Sequence, residues 1–242
     1  MNNTDIFLDK YKQLEEVVKS TYNLNGKDDQ DSVARYLEKQ NRFKAFKDEI
    51  EYCREVRNLL AHKKKINNDF AVVPSARMIE FIDTLIEKVR SRTKCLSIAI
   101  DMPHVFWQDL NGNVKDTMKM MQQKLYTHVP ILENGVVVGV FDENSIFNYL
   151  AKGEIVCIDD DLTFEDEDIK SFLSLNNREM EEFIFIGRNC YVDELEEKIE
   201  QAFHRGKRIG LAFITENGKP TQKIQGIITP WDIISAKDYN LA

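Results

Sequence analysis

The chain has 242 residues, 43% of them hydrophobic and 31% charged, and a formal net charge of -8. That is enough for two domains of ordinary size with real cores, and the acidity is far from the basic footprint of a dedicated nucleic-acid binder. The first ten residues, MNNTDIFLDK, lack the apolar run of a signal peptide, and nowhere do enough apolar residues follow one another to span a bilayer; a cytoplasmic location with no membrane partner is therefore expected. Four cysteines, Cys53, Cys95, Cys157 and Cys190, lie far apart with no C-x-x-C pair. They offer neither a zinc site nor a disulfide framework, so reduced packing thiols and no metal are expected.

Charge divides the chain. Residues 1–90 carry 17 Lys plus Arg against 16 Asp plus Glu, which leaves -9 on residues 91–242. The first part reads as helices. Ile6, Phe7, Tyr11, Leu14, Val18 and Tyr22 recur at helical spacing over 4–22, NLNGKDD supplies a turn, and 31–40 form a short second helix. A third, long helix runs through EIEYCREVRNLLAHKKK, and after the loop KKKINNDFAVVPS a fourth runs from about Ser75 to Arg90. In the third helix Phe43, Phe46, Ile50, Cys53 and Leu60 share a face, and Arg57 falls in the middle of that stripe. A guanidinium there needs a partner, because sinking one alone into a core costs several kcal/mol.

The second part changes period. YTHVPILENGVVVGVF holds two apolar runs joined at Asn134-Gly135, a strong hairpin signal, and IGLAFITENGKPTQKIQGIIT repeats the plan around Asn217-Gly218. Each hairpin follows a helix-like stretch and precedes a helix start, so helix, strand, strand, helix occurs twice with an acidic connector, IDDDLTFEDED, between copies.

The block MMQQKLYTHVPILENGVVVGVFDENSIFNYL, with GIITPWDII closing the second copy, resembles a CBS domain, and the region from about 95 to 240 resembles a CBS pair. The fold class expected is thus two-domain: an all-α four-helix bundle over 1–92, then an α/β tandem CBS pair over 93–242 with copies at about 95–152 and 182–240. The resemblance implies an adenosine nucleotide (AMP, ADP, ATP or S-adenosylmethionine) as regulatory ligand, held at the strand-to-helix junction by Gly226, Thr229 and Asp232. The same residues also read as a capping box, with Thr229 as N-cap, Pro230 in first helical position and Asp232 reaching back. Helix N–H groups and the dipole's positive end suit either use. In the first copy Asp142 can still cap, but Ser145 replaces the carboxylate, so one nucleotide site is expected rather than two. The second copy also departs, with four extra hairpin residues and no counterpart of Pro130. His204, Arg205, Lys207 and Arg208 read as ordinary partners of a helix C-terminus.

RNLLAH, residues 57 to 62, resembles the R-x-x-x-x-H motif of HEPN domains, many of which are metal-independent endoribonucleases. The resemblance implies Arg57, Asn58 and His62 as catalytic residues, RNA as substrate and a homodimer whose paired helices build the cleft. Histidine moves protons near neutral pH and arginine supplies a fixed charge beside a phosphorane. Five residues turn a regular helix by about 140° beyond one full turn, so Arg57 and His62 cannot share a face of one regular helix, whereas Asn58 and His62 can. The competing reading pairs Arg57 with Asp83 or Glu80 and makes His62 and Lys63 to Lys65 a charged helix end. Two functions stay open: a nucleotide-controlled ribonuclease, or a non-enzymatic nucleotide sensor whose helical domain dimerises or docks a partner.

Overall fold

A computed structural model describes residues 2–24, 33–62, 70, 72–151, 158–176 and 180–238. The chain divides into two compact units, Met1–Arg92 and Thr93–Ala242.

The first unit is helical. Helix α1 (Asn3–Thr21) starts where the Asn2 side chain accepts the Asp5 N–H, and it buries Phe7, Tyr11, Leu14 and Val18 at intervals of three and four. Helix α2 (Val33–Lys39) and a 3-10 segment (Asn41–Phe46) lead into α3 (Lys47–His62). Helix α4 (Ala76–Arg90) opens on Ser75, whose hydroxyl accepts the Met78 N–H. One core runs through the unit, with Phe7, Leu37, Phe43, Ile50, Ile82 and Val89 fully or almost fully buried. The expected start of the second helix at 31 and the lysine run at 63–65 lie outside the described residues.

The second unit alternates strands and helices. Strand β1 (Ile100–Asp101) precedes α5 (Val114–Lys124), the hairpin strands β2 (His128–Glu133) and β3 (Val136–Asp142), and α6 (Glu143–Ala151). After a short α7 (Glu167–Lys170) come β4 (Glu181–Gly187), α8 (Val192–His204), β5 (Arg208–Thr215), β6 (Ile224–Ile228) and α9 (Pro230–Asp238). Asn134 and Gly135 both take positive φ (52° and 82°) and close the first hairpin tightly, as a two-residue turn between right-twisted strands requires. The second hairpin is longer, with eight residues between β5 and β6.

Two sheets result. One has the order β1-β6-β5-β4, antiparallel except for the parallel β4–β5 pair, and the other is the β2–β3 hairpin. The acidic connector is part of the folded unit, because Phe164 is fully buried against Phe141 and backbone bonds tie Val114 to Leu162 and Phe164 to Gly112. The charged side chains described in it face out while its few apolar residues complete the core under α5.

Strand β1 comes from the start of the unit yet pairs with β6 near its end, and that pairing depends on Gly226. A Cβ there would sit 2.7 Å from the Ile100 carbonyl oxygen, closer than atoms pack. Gly226→Ala is expected to lower stability by about 1–3 kcal/mol by forcing β1 off the sheet. Urea unfolding of the two proteins checks this, and a change below about 0.5 kcal/mol would mean that the strand shifts freely.

Candidate ligand site

The functional geometry of the second unit begins with two strand-to-helix junctions. At the end of β6, Thr229 caps α9: its N–H and hydroxyl both donate to Asp232 Oδ2 at 2.7 Å, and the Asp232 N–H returns to Thr229 Oγ1 at 3.4 Å. At the end of β3 the residue types are exchanged. Asp142 is the cap, and its Oδ1 accepts both the N–H and the hydroxyl of Ser145 at 2.7 Å. Both solutions satisfy the first free N–H groups of a helix with one oxygen three residues away.

The two junctions open on one cavity of about 680 Å³, whose wall includes Asp142, Glu143 and Asn144 from one and Thr229, Pro230 and Trp231 from the other. Of the residues expected to hold a nucleotide, Thr229 and Asp142 line it. Gly226 and Asp232 do not: Gly226 lies against β1, and Asp232 stands behind Thr229 as its capping partner. Trp231 is an exposed rim residue, 75% accessible.

A charged cluster forms the cavity's inner wall. His128 opens β2 directly across from Asp142, which closes β3; Glu181 opens β4 across from Arg208, which opens β5. Asp142 and Glu181 are almost fully buried. Glu181 Oε1 lies 3.2 Å from His128 Nε2 and 3.3 Å from Arg208 Nε. Burial would push the Glu181 carboxyl up, but the His128 hydrogen bond and charge, with help from Arg208, hold it below the usual carboxylate range. Arg208 therefore faces a carboxylate instead of a helix end; Arg205 likewise reaches Glu182 at 2.7 Å.

In the helical unit, Arg57 Nη2 meets Glu15 Oε1 of α1 at 3.2 Å and Nη1 donates to Asn58 Oδ1 at 3.2 Å, while the guanidinium lies 5.7 Å from the centre of the Tyr11 ring. The partner is thus on α1, not α4, where Asp83 pairs with Lys10 at 2.6 Å. Arg57 and Asn58 are brought together; His62 ends α3, and its side chain lies outside the described residues. Tyr11 is pushed up chiefly by burial and then by Glu15, so it stays a neutral phenol beside the pair. Burial, then Glu49, pushes the Cys53 thiol up to about 11, which marks a packing residue and no nucleophile.

Sequence reasoning finds Asp142, reads Arg208 as a helix-end cation, and misses His128 and Glu181. The parallel strand β4 has no hairpin signal to announce it, and nothing in the local Met-Glu-Glu run marks Glu181 as buried.

Residues 109–152 match the CBS domain family, a segment holding α5, the β2–β3 hairpin and α6 with its cap. No curated protein matches the sequence. Among solved structures, a putative acetoin utilization protein (AcuB) from Vibrio cholerae is 13% identical, with 62% of this chain aligned to 93% of that one at a TM-score of 0.45. A hemolysin-like protein containing a CBS domain from Oenococcus oeni PSU is 15% identical over 60% of this chain and 89% of that one, at 0.41. CbpB, solved in complex with c-di-AMP, is 16% identical over 62% and 87%, at 0.44.

The Arg57–Glu15 pair is two-thirds or more shielded from solvent on both sides, so it should matter more than a surface pair. Arg57→Ala is expected to cost about 1–2 kcal/mol, and a double-mutant cycle with Glu15→Ala to give a coupling of about 0.5–1 kcal/mol. Additive single effects in urea unfolding would show that the ion pair contributes nothing.

Proposed function

We propose that the chain is an adenine-nucleotide-sensing regulatory protein whose ligand occupies the cavity between the two strand-to-helix junctions. The observation that carries this reading is that the N-termini of α6 and α9 open on the same cavity. Two helix N-termini put backbone N–H groups and the positive ends of two dipoles around one space, which suits the phosphates of a nucleotide. Thr229 would meet the phosphates, and the Trp231 ring on the rim offers the base a face to stack on. The CBS domain match at 109–152 supports the first half of this arrangement, and a second copy at about 182–240 would complete it.

The helical unit is the output. A ligand controls it only by binding one state of the protein better than another. Its HEPN-like four-helix reading gives two roles: a metal-independent endoribonuclease acting through Arg57, Asn58 and His62 on RNA as a homodimer, or a non-enzymatic module that dimerises or docks a partner. The engagement of Arg57 with Glu15, Asn58 and Tyr11 favours the second, because these are the contacts of a structural arginine.

AMP, ADP, ATP or S-adenosylmethionine at millimolar concentration is expected to raise the melting temperature of the wild type, and Trp231→Ala to reduce the rise severalfold. No shift with any of the four ligands would sink the sensor reading. For the helical unit, metal-free cleavage of total RNA that disappears in His62→Ala would establish the enzyme; equal inertness of both proteins leaves the docking module.

A further inference from the structure

The inner wall of the cavity has chemistry that nucleotide binding does not use. Among the described residues, His128, Asp142 and Glu181 each offer one ligand atom, and the three atoms lie within 4.8 Å of one another. They come from three strands, two of the residues are buried, and all three line the same cavity. From this juxtaposition we propose a binding site for a divalent first-row transition-metal ion, held by His128 Nε2 and one carboxylate oxygen each of Asp142 and Glu181.

The His128–Glu181 spacing suits such an ion. Donors about 2.1 Å from a cation stand roughly 3.0 Å apart at a right angle and roughly 3.4 Å apart at the tetrahedral angle. The His128 Nε2 to Glu181 Oε1 separation, 3.2 Å, falls between the two. The imidazole is also held in a suitable orientation, since His128 Nδ1 lies 2.8 Å from the Thr127 hydroxyl and the ring edge packs on Phe183. A ligating histidine ordinarily gives its second nitrogen to an oxygen in this way, which leaves the other nitrogen's lone pair for the metal.

The charges point the same way. A carboxylate oxygen of Asp142 and one of Glu181 lie within 4.8 Å of each other, and a cation between two carboxylates so close relieves their repulsion. Arg208 supplies one positive charge to Glu181, but its side chain is 68% exposed and touches the oxygen that also faces His128. A dication held by the two carboxylates, with Arg208 beside them, leaves positive charge to spare for an anionic ligand entering from the cavity. One imidazole and two carboxylates favour zinc, manganese, iron or cobalt over the all-oxygen preference of calcium and magnesium. Room for the Glu181 carboxylate is provided by Gly210, where a Cβ would lie 2.8 Å from Glu181 Cδ. The cysteine spacing argues against a zinc site, but this donor set contains no cysteine and is assembled only in the fold.

The test uses untagged full-length protein stripped with EDTA and titrated with Co²⁺, followed by visible absorption, and with Zn²⁺, followed by calorimetry. One equivalent per chain is expected, with affinity falling at least about tenfold in His128→Gln and in Glu181→Gln; circular dichroism reports whether the variants fold. Absence of stoichiometric binding by the wild type, or unchanged affinity in folded variants, overturns the site. If the variants do not fold, proton NMR of the wild type with substoichiometric Mn²⁺ decides. Its four histidines are His62, His104, His128 and His204. Broadening of the His128 ring signals ahead of the other three supports the site, and sharp His128 signals while others broaden overturn it.

Discussion

Two carboxylates buried side by side constrain the second unit more than any other feature. Asp142 and Glu181 are 1% and 4% exposed, and the effective cost of taking one unpaired carboxylate out of water is several kcal/mol. The fold meets that cost with the Ser145 N–H and hydroxyl on Asp142 and with His128 and Arg208 on Glu181; His128 and Asp142 are a register pair, as are Glu181 and Arg208. Each pair belongs to one sheet, so the cluster draws the β2–β3 hairpin and the edge of the four-stranded sheet to a common wall.

Capping chemistry serves both junctions of that cavity, with the residue types exchanged. A hydroxyl caps and a carboxylate reaches back at Thr229 and Asp232; a carboxylate caps and a hydroxyl reaches back at Asp142 and Ser145. The exchange has a consequence for charge. At α9 the carboxylate stands behind the cap, partly buried, while at α6 it sits at the end of the strand and turns into the buried cluster. One helical start therefore brings a hydroxyl to the cavity wall and the other a carboxylate. The two junctions are not electrostatically equivalent.

The local features of this chain are legible in its sequence: helical periodicity in the first 90 residues, the Asn134-Gly135 turn, and the Thr229-to-Asp232 cap. The cluster is not, for a reason of register. Counting outward from a two-residue turn at 134–135 places His128 opposite Phe141. A bulge between Ile131 and Leu132 shifts the pairing by one, so that Asp142 is the partner and both side chains share a face. A second bulge follows Glu182 on β4 and leaves Gly210 as the extra residue beside Glu181. Neither bulge has a strong local signature, since glycine in a strand marks several things. Strand β4 escapes notice because its parallel partner lies beyond a whole helix, and β1 because two residues make no pattern.

Arg57 shows the opposite limit, where the sequence raises a sound question and the fold answers it from an unexpected side. Its place in an apolar stripe requires a partner, and α1 supplies one with Glu15 while the Tyr11 ring covers the guanidinium. An arginine so held is rigid, which is useful to catalysis, but it is also neutralised, which is not. A phosphate approaching Arg57 would have to displace Glu15, and the carboxylate would repel it on the way. The decisive residue for any activity at this helix is therefore the acid on α1 as much as the histidine at the end of α3, and a motif confined to α3 carries no information about it.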